Sequence, residues 1–81
     1  MSMSILNFCY NFFMIIANRI TELRIERGLT QKQLAEKVGC SPSMITRWVS
    51  GECEPTASAI LKLAEALDCS CDYLLGKTDE Y

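Results

Sequence analysis

Apolar positions recur along this chain at the spacing of helix faces. Ile16, Ile20 and Leu23 make a first stripe, which predicts a helix over about 17–27, ended by Gly28. Leu34, Ala35 and Val38 make a second stripe, and Met44, Ile45 and Trp48 a third, each about two turns long. Ile60, Leu63, Ala64 and Leu67 then fall at i, i+3, i+4 and i+7, the core face of a fourth helix that begins near Thr56 or Ala57. A short fifth helix is expected over 71–75, with Ser70 as its cap and Gly76 as its stop. The pattern is all-α.

The polar residues between the stripes punctuate them. Thr30, followed three residues later by Gln33, fits a capping box, in which each side chain satisfies a free backbone N–H of the other. Gly39 suits a left-handed helix end, since it carries no Cβ. Ser41 can cap the next helix, with Pro42 at its first position, where the missing N–H costs nothing. Gly51 closes that helix. Ala35 is small where the second and third helices would cross. Together these features predict two short helices joined by a sharp turn, over about 31–50.

The stretch 19–76 resembles the lambda-repressor-like (Cro/C1-type, Xre family) helix-turn-helix DNA-binding domain. The matching residues are RI and LR within 19–24, RGLTQKQLAEKVG at 27–39, Ile45, Trp48, Gly51, Pro55, and LKLAEALDCSCDYLLG at 61–76. The resemblance implies a compact five-helix domain over 14–76, preceded by an apolar N-terminal extension over 1–13 and followed by a tail over 77–81. It also implies that the third helix, about 42–50, lies in the major groove of double-stranded DNA with its first residues at the base edges.

The outward positions of that helix are Ser43, Met44, Thr46 and Arg47. Arg47 can fork onto O6 and N7 of a guanine, Ser43 and Thr46 can hydrogen-bond, and Met44 can meet a thymine methyl. Gln31 matches the family's phosphate-clamping glutamine, and its own N–H adds to that contact at the helix start. Lys32, Ser41, Ser50 and Arg24 are further candidates for phosphate contact. In the family, the arginine at the position of Arg24 often pairs with a glutamate near the end of the recognition helix. Here that position is Val49, so Arg24 is left to find another partner. The loop after Gly51 carries Glu52 and Glu54 where relatives commonly have Lys or Arg, which predicts weaker nonspecific affinity.

Composition adjusts this picture. Eighty-one residues make one small domain. The net charge of −2 runs against nucleic acid, but the charge is unevenly placed. Residues 19–47 hold six basic side chains (Arg19, Arg24, Arg27, Lys32, Lys37, Arg47) against three acidic ones, a net of +3. Residues 48–81 hold two basic against seven acidic, a net of −5. This polarity would orient the domain on a polyanion. No histidine is present and no nucleotide-binding loop is visible, so a His-based triad or His metal site is excluded and an enzyme has no support. The five cysteines, Cys9, Cys40, Cys53, Cys69 and Cys71, show no CxxC spacing. They read as reduced thiols of a cytoplasmic protein, with no metal and no cofactor expected.

The first seventeen residues, MSMSILNFCYNFFMIIA, carry no charge. The stretch is too short for a membrane span and lacks the basic start and cleavage site of a signal peptide. Three readings stay open: it pairs with the same segment of a second chain, it folds back on its own domain, or the native chain begins at Met14.

Homodimer formation is expected through Tyr73, Leu74 and Leu75, with Leu74 expected to plug the core as well, and with Phe8, Phe12 and Phe13 as further candidates. The overall expectation is a transcriptional regulator that binds a specific DNA duplex as a homodimer. The alternative is a protein-interaction module of the same fold that pairs with another regulator or a toxin.

Overall fold

The computed structural model describes the backbone of residues 5–81 and the side chains of residues 14–81. Phe8, Phe12 and Phe13, expected at a dimer contact, lie outside the described side chains. Among the described residues, five helices follow one another: α1 (Ile5–Glu26), α2 (Gln31–Val38), α3 (Pro42–Val49), α4 (Ala57–Leu67) and α5 (Cys71–Leu74). The last four match the elements predicted from pattern and caps to within a residue.

The first helix differs. It starts at Ile5, well before the position expected near residue 17, and runs without a break to Glu26. No Gly or Pro lies between Ile5 and Glu26, so nothing in the sequence stops the helix where its core stripe begins. It ends as expected at Gly28, where the Leu29 N–H reaches back to the carbonyl of Arg24 at 2.9 Å.

The caps form as the sequence implies. Thr30 Oγ1 accepts from the Gln33 N–H at 3.0 Å, and Gln33 Oε1 accepts from the Thr30 N–H at 2.9 Å. Ser41, Thr56 and Ser70 cap α3, α4 and α5 through their hydroxyls. Gly39 ends α2 at φ 88°, in the left-handed region. That geometry lets both its own N–H and that of Cys40 return to the carbonyl of Ala35 and turns the chain sharply into α3. Asp68 ends α4 at φ 56°, a conformation its short polar side chain tolerates.

One core gathers all five helices. Ile16, Ile20 and Leu23 from α1 meet Leu34, Ala35 and Val38 from α2, Ile45 and Trp48 from α3, Ile60, Leu63 and Leu67 from α4, and Tyr73 and Leu74 from α5. Ala35 is 1% exposed, consistent with a small residue where α2 and α3 pack. Among the described residues, no polar or charged residue is fully buried.

The tail beyond α5 folds back on α1. Arg19 donates through Nη1 to the carbonyls of Tyr73 (2.7 Å) and Thr78, and through Nη2 to Asp79 Oδ1 (2.7 Å). Its guanidinium also lies 4.1 Å over the Tyr73 ring. The Tyr81 hydroxyl donates to Glu26 at 2.8 Å, which holds the phenol above its usual pKa, and the Ser70 N–H donates to the Tyr81 carbonyl at 2.7 Å.

Candidate nucleic-acid interface

The start of α2 is built to meet an anion. The first turn of a helix leaves four N–H groups without intrahelical partners. The capping box occupies those of Thr30 and Gln33. Those of Gln31 and Lys32 remain, at the positive end of the helix dipole.

The outer face of α3 adjoins this turn. Ser43, Thr46, Arg47 and Ser50 are exposed at i, i+3, i+4 and i+7, opposite the buried pair Ile45 and Trp48. Thr46 Oγ1 donates to Gln31 Oε1 at 3.0 Å, which joins the two helices across their outer surface. With its oxygen turned toward Thr46, the Gln31 amide has its N–H donors left for a ligand. Ser41 Oγ caps the Met44 N–H and lies 3.0 Å from Ser43 Oγ. Ser50 Oγ donates to the carbonyl of Arg47 at 3.1 Å. The Arg47 Nε stands 3.8 Å from Glu52 Oε2, both side chains more than half exposed. An ion pair this open to water is worth about 0–1 kcal/mol, so it competes only weakly for the guanidinium.

Met44 and Arg24 depart from expectation. Met44 is half-buried and lines a hollow behind α3 with Val38, Cys40, Trp48 and Cys53, because its position flanks the core stripe. Arg24, expected to contact phosphate, is drawn into the fold. Its Nη1 donates to the carbonyl of Leu29 at 2.7 Å, and its Nε is buried without a partner. That orphaned N–H lies on the arginine for which the sequence resemblance implied a partner at the position of Val49.

The basic balance of residues 19–47 shrinks in the same way. Arg19 clasps the tail. Arg27 donates to the carbonyls of Leu67 and Asp68 and pairs with Glu26. Lys37 stays exposed, but on the α4 side of α2, beside Lys62 and Glu65. Lys32 and Arg47 are the cations left exposed along the α2–α3 face.

The expected dimer residues also separate. Tyr73 and Leu74 are 8% and 0% exposed, packed in the chain's own core, so they offer no free apolar surface. Leu75 is half-buried and lines a groove between α4 and α5. Leu61, which no sequence stripe singled out, is 54% exposed in that groove. The signal was available: a leucine one residue past Ile60 falls off the 60, 63, 64, 67 face. Among the described residues, Cys40, Cys53, Cys69 and Cys71 are free thiols. Burial pushes Cys40 upward in pKa, with Lys62 opposing, and burial likewise raises Cys69, with Arg27 opposing.

This arrangement recurs in known proteins. The cryptic phage CTXphi transcriptional repressor RstR of Vibrio cholerae is 38% identical over 69 residues, covering 83% of this chain and 62% of RstR. The transcriptional regulator ImmR of Bacillus subtilis is 33% identical over 66 residues, covering 82% of this chain and 52% of ImmR. The chain thus spans between half and two thirds of the length of these relatives. The P22 c2 repressor, solved in complex with a synthetic operator, superimposes with a TM-score of 0.74 at 36% identity, covering 78% of this chain and 96% of that one. The Helix-turn-helix family (HTH_3) matches residues 20–74. With the capped α2–turn–α3 unit in place, this chain belongs to the lambda-repressor-like, Cro/C1-type helix-turn-helix family of DNA-binding regulators.

Proposed function

We propose that the chain acts in the cytoplasm as a sequence-specific transcriptional regulator, binding double-stranded DNA as a homodimer with α3 in the major groove. The observation that carries this reading is the exposed stripe Ser43, Thr46, Arg47 and Ser50, hydrogen-bonded through Thr46 to Gln31 at the free start of α2. Gln31, Lys32, Ser41 and Ser50 take phosphates and set the register. Ser43, Thr46 and Arg47 read bases, Arg47 by its planar fork. Met44 adds an apolar contact only at the edge of the stripe. In a symmetric dimer, two α3 helices sit about 34 Å apart, one turn of DNA. The operator-bound form of the P22 c2 repressor supports the reading by analogy.

The test is site selection from random duplexes at low salt, followed by binding titrations on the selected site and its single-base variants. An enriched site with two half-sites one turn apart is expected. Failure to enrich any site would overturn DNA reading and favour a protein-pairing module that engages another regulator or a toxin. The Arg47–Glu52 pair and the arginines turned inward are the observations on that side.

A further inference from the structure

The end of α3 folds the loop that follows it back onto Arg47. The helix stops at Val49, and the chain turns through Gly51 at φ 80°, a left-handed conformation that glycine takes without a Cβ penalty. The Gly51 N–H then donates to the carbonyl of Trp48 at 3.3 Å, and the Glu52 N–H to the carbonyl of Arg47 at 3.0 Å. These two bonds are the paired returns of a Schellman motif. The same Arg47 carbonyl also accepts from Ser50 Oγ at 3.1 Å and from the Cys53 N–H at 3.4 Å. The backbone of Glu52 is therefore fixed against that of Arg47.

The side chains follow the backbone. In this motif the residues at these two positions often share an apolar contact. Here they are an arginine and a glutamate, and they meet as an ion pair, with Glu52 Oε2 3.8 Å from Arg47 Nε. Both lie open to solvent on the face that α3 turns outward. The carboxylate approaches the guanidinium at Nε, the nitrogen nearest the chain. The far end, with Nη1 and Nη2, is the fork that matches O6 and N7 of a guanine. In water the pair is weak. When a docked duplex displaces that water, the local dielectric falls and the attraction grows. Glu52 also acts against the competing pose: an Arg47 swung onto a phosphate brings that phosphate toward the carboxylate, whereas a base edge carries no full charge.

We propose that Glu52 is a positioning residue for base reading: it holds the Arg47 guanidinium at Nε, aims the Nη1–Nη2 fork at a guanine in the major groove and disfavours a phosphate contact in its place. This rests on the proposed reading of DNA by α3. Glu52 weakens attraction to any duplex while widening the gap between the right base and a wrong one, which is specificity gained through a repulsive element.

The test is a double-mutant cycle on the full chain, with Glu52→Gln, Arg47→Ala and both together. Each is titrated on the selected site, on that site with the base pair changed at which Arg47→Ala relaxes the preference, and on a random duplex. The readout is the discrimination ratio, Kd on the changed site over Kd on the selected site. Glu52→Gln keeps the size of the side chain and removes its charge. It is expected to lower the ratio about fivefold, to tighten binding to the random duplex and to leave discrimination at other base pairs unchanged. In the Arg47→Ala background the same substitution is expected to leave the ratio unchanged, because no fork remains to be aimed. If Glu52→Gln tightens every duplex by one factor, Glu52 only repels DNA, and the proposal is overturned while the DNA reading stands. An equal fall of the ratio without Arg47 overturns the route through Arg47, and so does an Arg47→Ala loss that is uniform across duplexes. An unsubstituted chain that binds all duplexes alike overturns the DNA reading and this proposal with it.

Discussion

Replacing Arg19 with Ala tests whether this arginine serves the fold or a nucleic acid. Its side chain is only 18% exposed and reaches the carbonyls of Tyr73 and Thr78, the carboxylate of Asp79 and the face of the Tyr73 ring. A hydrogen bond from a charged donor is worth about 1.5–3 kcal/mol net. The two carbonyl contacts therefore carry most of the interaction. The Asp79 pair adds little, because that carboxylate is 95% exposed and such pairs contribute roughly 0–1 kcal/mol. Against this stands the cost of ordering the tail, about 1–2 kcal/mol per fixed residue, which is recovered when the tail is released.

The net loss for Arg19→Ala is therefore about 1–2 kcal/mol, less than the contacts suggest. For a domain of this size that lowers Tm by roughly 4–16 °C. Thermal unfolding by circular dichroism gives the Tm, and amide exchange at 78–81 should rise as the Tm falls. Arg19→Lys should fall between, because an ammonium cannot span the same fork of acceptors. An unchanged Tm together with a shallower salt dependence of DNA binding would refute the clasp and return Arg19 to the DNA surface.

Other substitutions probe different parts of the chain. Thr30→Ala removes one arm of the capping box and should cost about 0.5–2 kcal/mol in urea unfolding, whereas Thr30→Ser should cost little. Val49→Glu tests whether the glutamate that the family resemblance implies at this position can meet the orphaned Nε of Arg24, and should raise the urea midpoint; a lower midpoint would mean that the apolar contacts of Val49 outweigh the new ion pair. Arg47→Ala should cost about 1–3 kcal/mol per half-site on the selected DNA and relax discrimination at one base pair, while Gln31→Ala should weaken all duplexes about equally. A uniform loss for Arg47→Ala would make it a phosphate contact. Glu52→Gln frees Arg47 and removes a carboxylate from the loop, so it should tighten DNA binding modestly, most visibly at low salt; no change at low salt would show the pair to be inert.

What the sequence determined by itself is local. Helices α2 to α5, the capping box at Thr30 and Gln33, the left-handed turn at Gly39 and the outward positions Ser43, Thr46 and Arg47 all depend on residues within about one or two helical turns. Their periodicity and caps could be read without a partner element. The beginning of α1 was less legible, because a core stripe marks where a helix meets the core, not where the helix starts.

Tertiary structure decided which side chains the fold keeps for itself. Arg19 and Arg27 find their partners 54 and 40 residues away, at Tyr73 and Leu67, and no charge count along the chain separates them from a cation free for DNA. Likewise Tyr73, Leu74 and Leu75 are one apolar run in sequence. Packing against α1 and α4 sends the first two into the core and leaves the third in a groove with Leu61. Burial depends on what arrives from elsewhere in the chain, and periodicity within one helix does not contain that information.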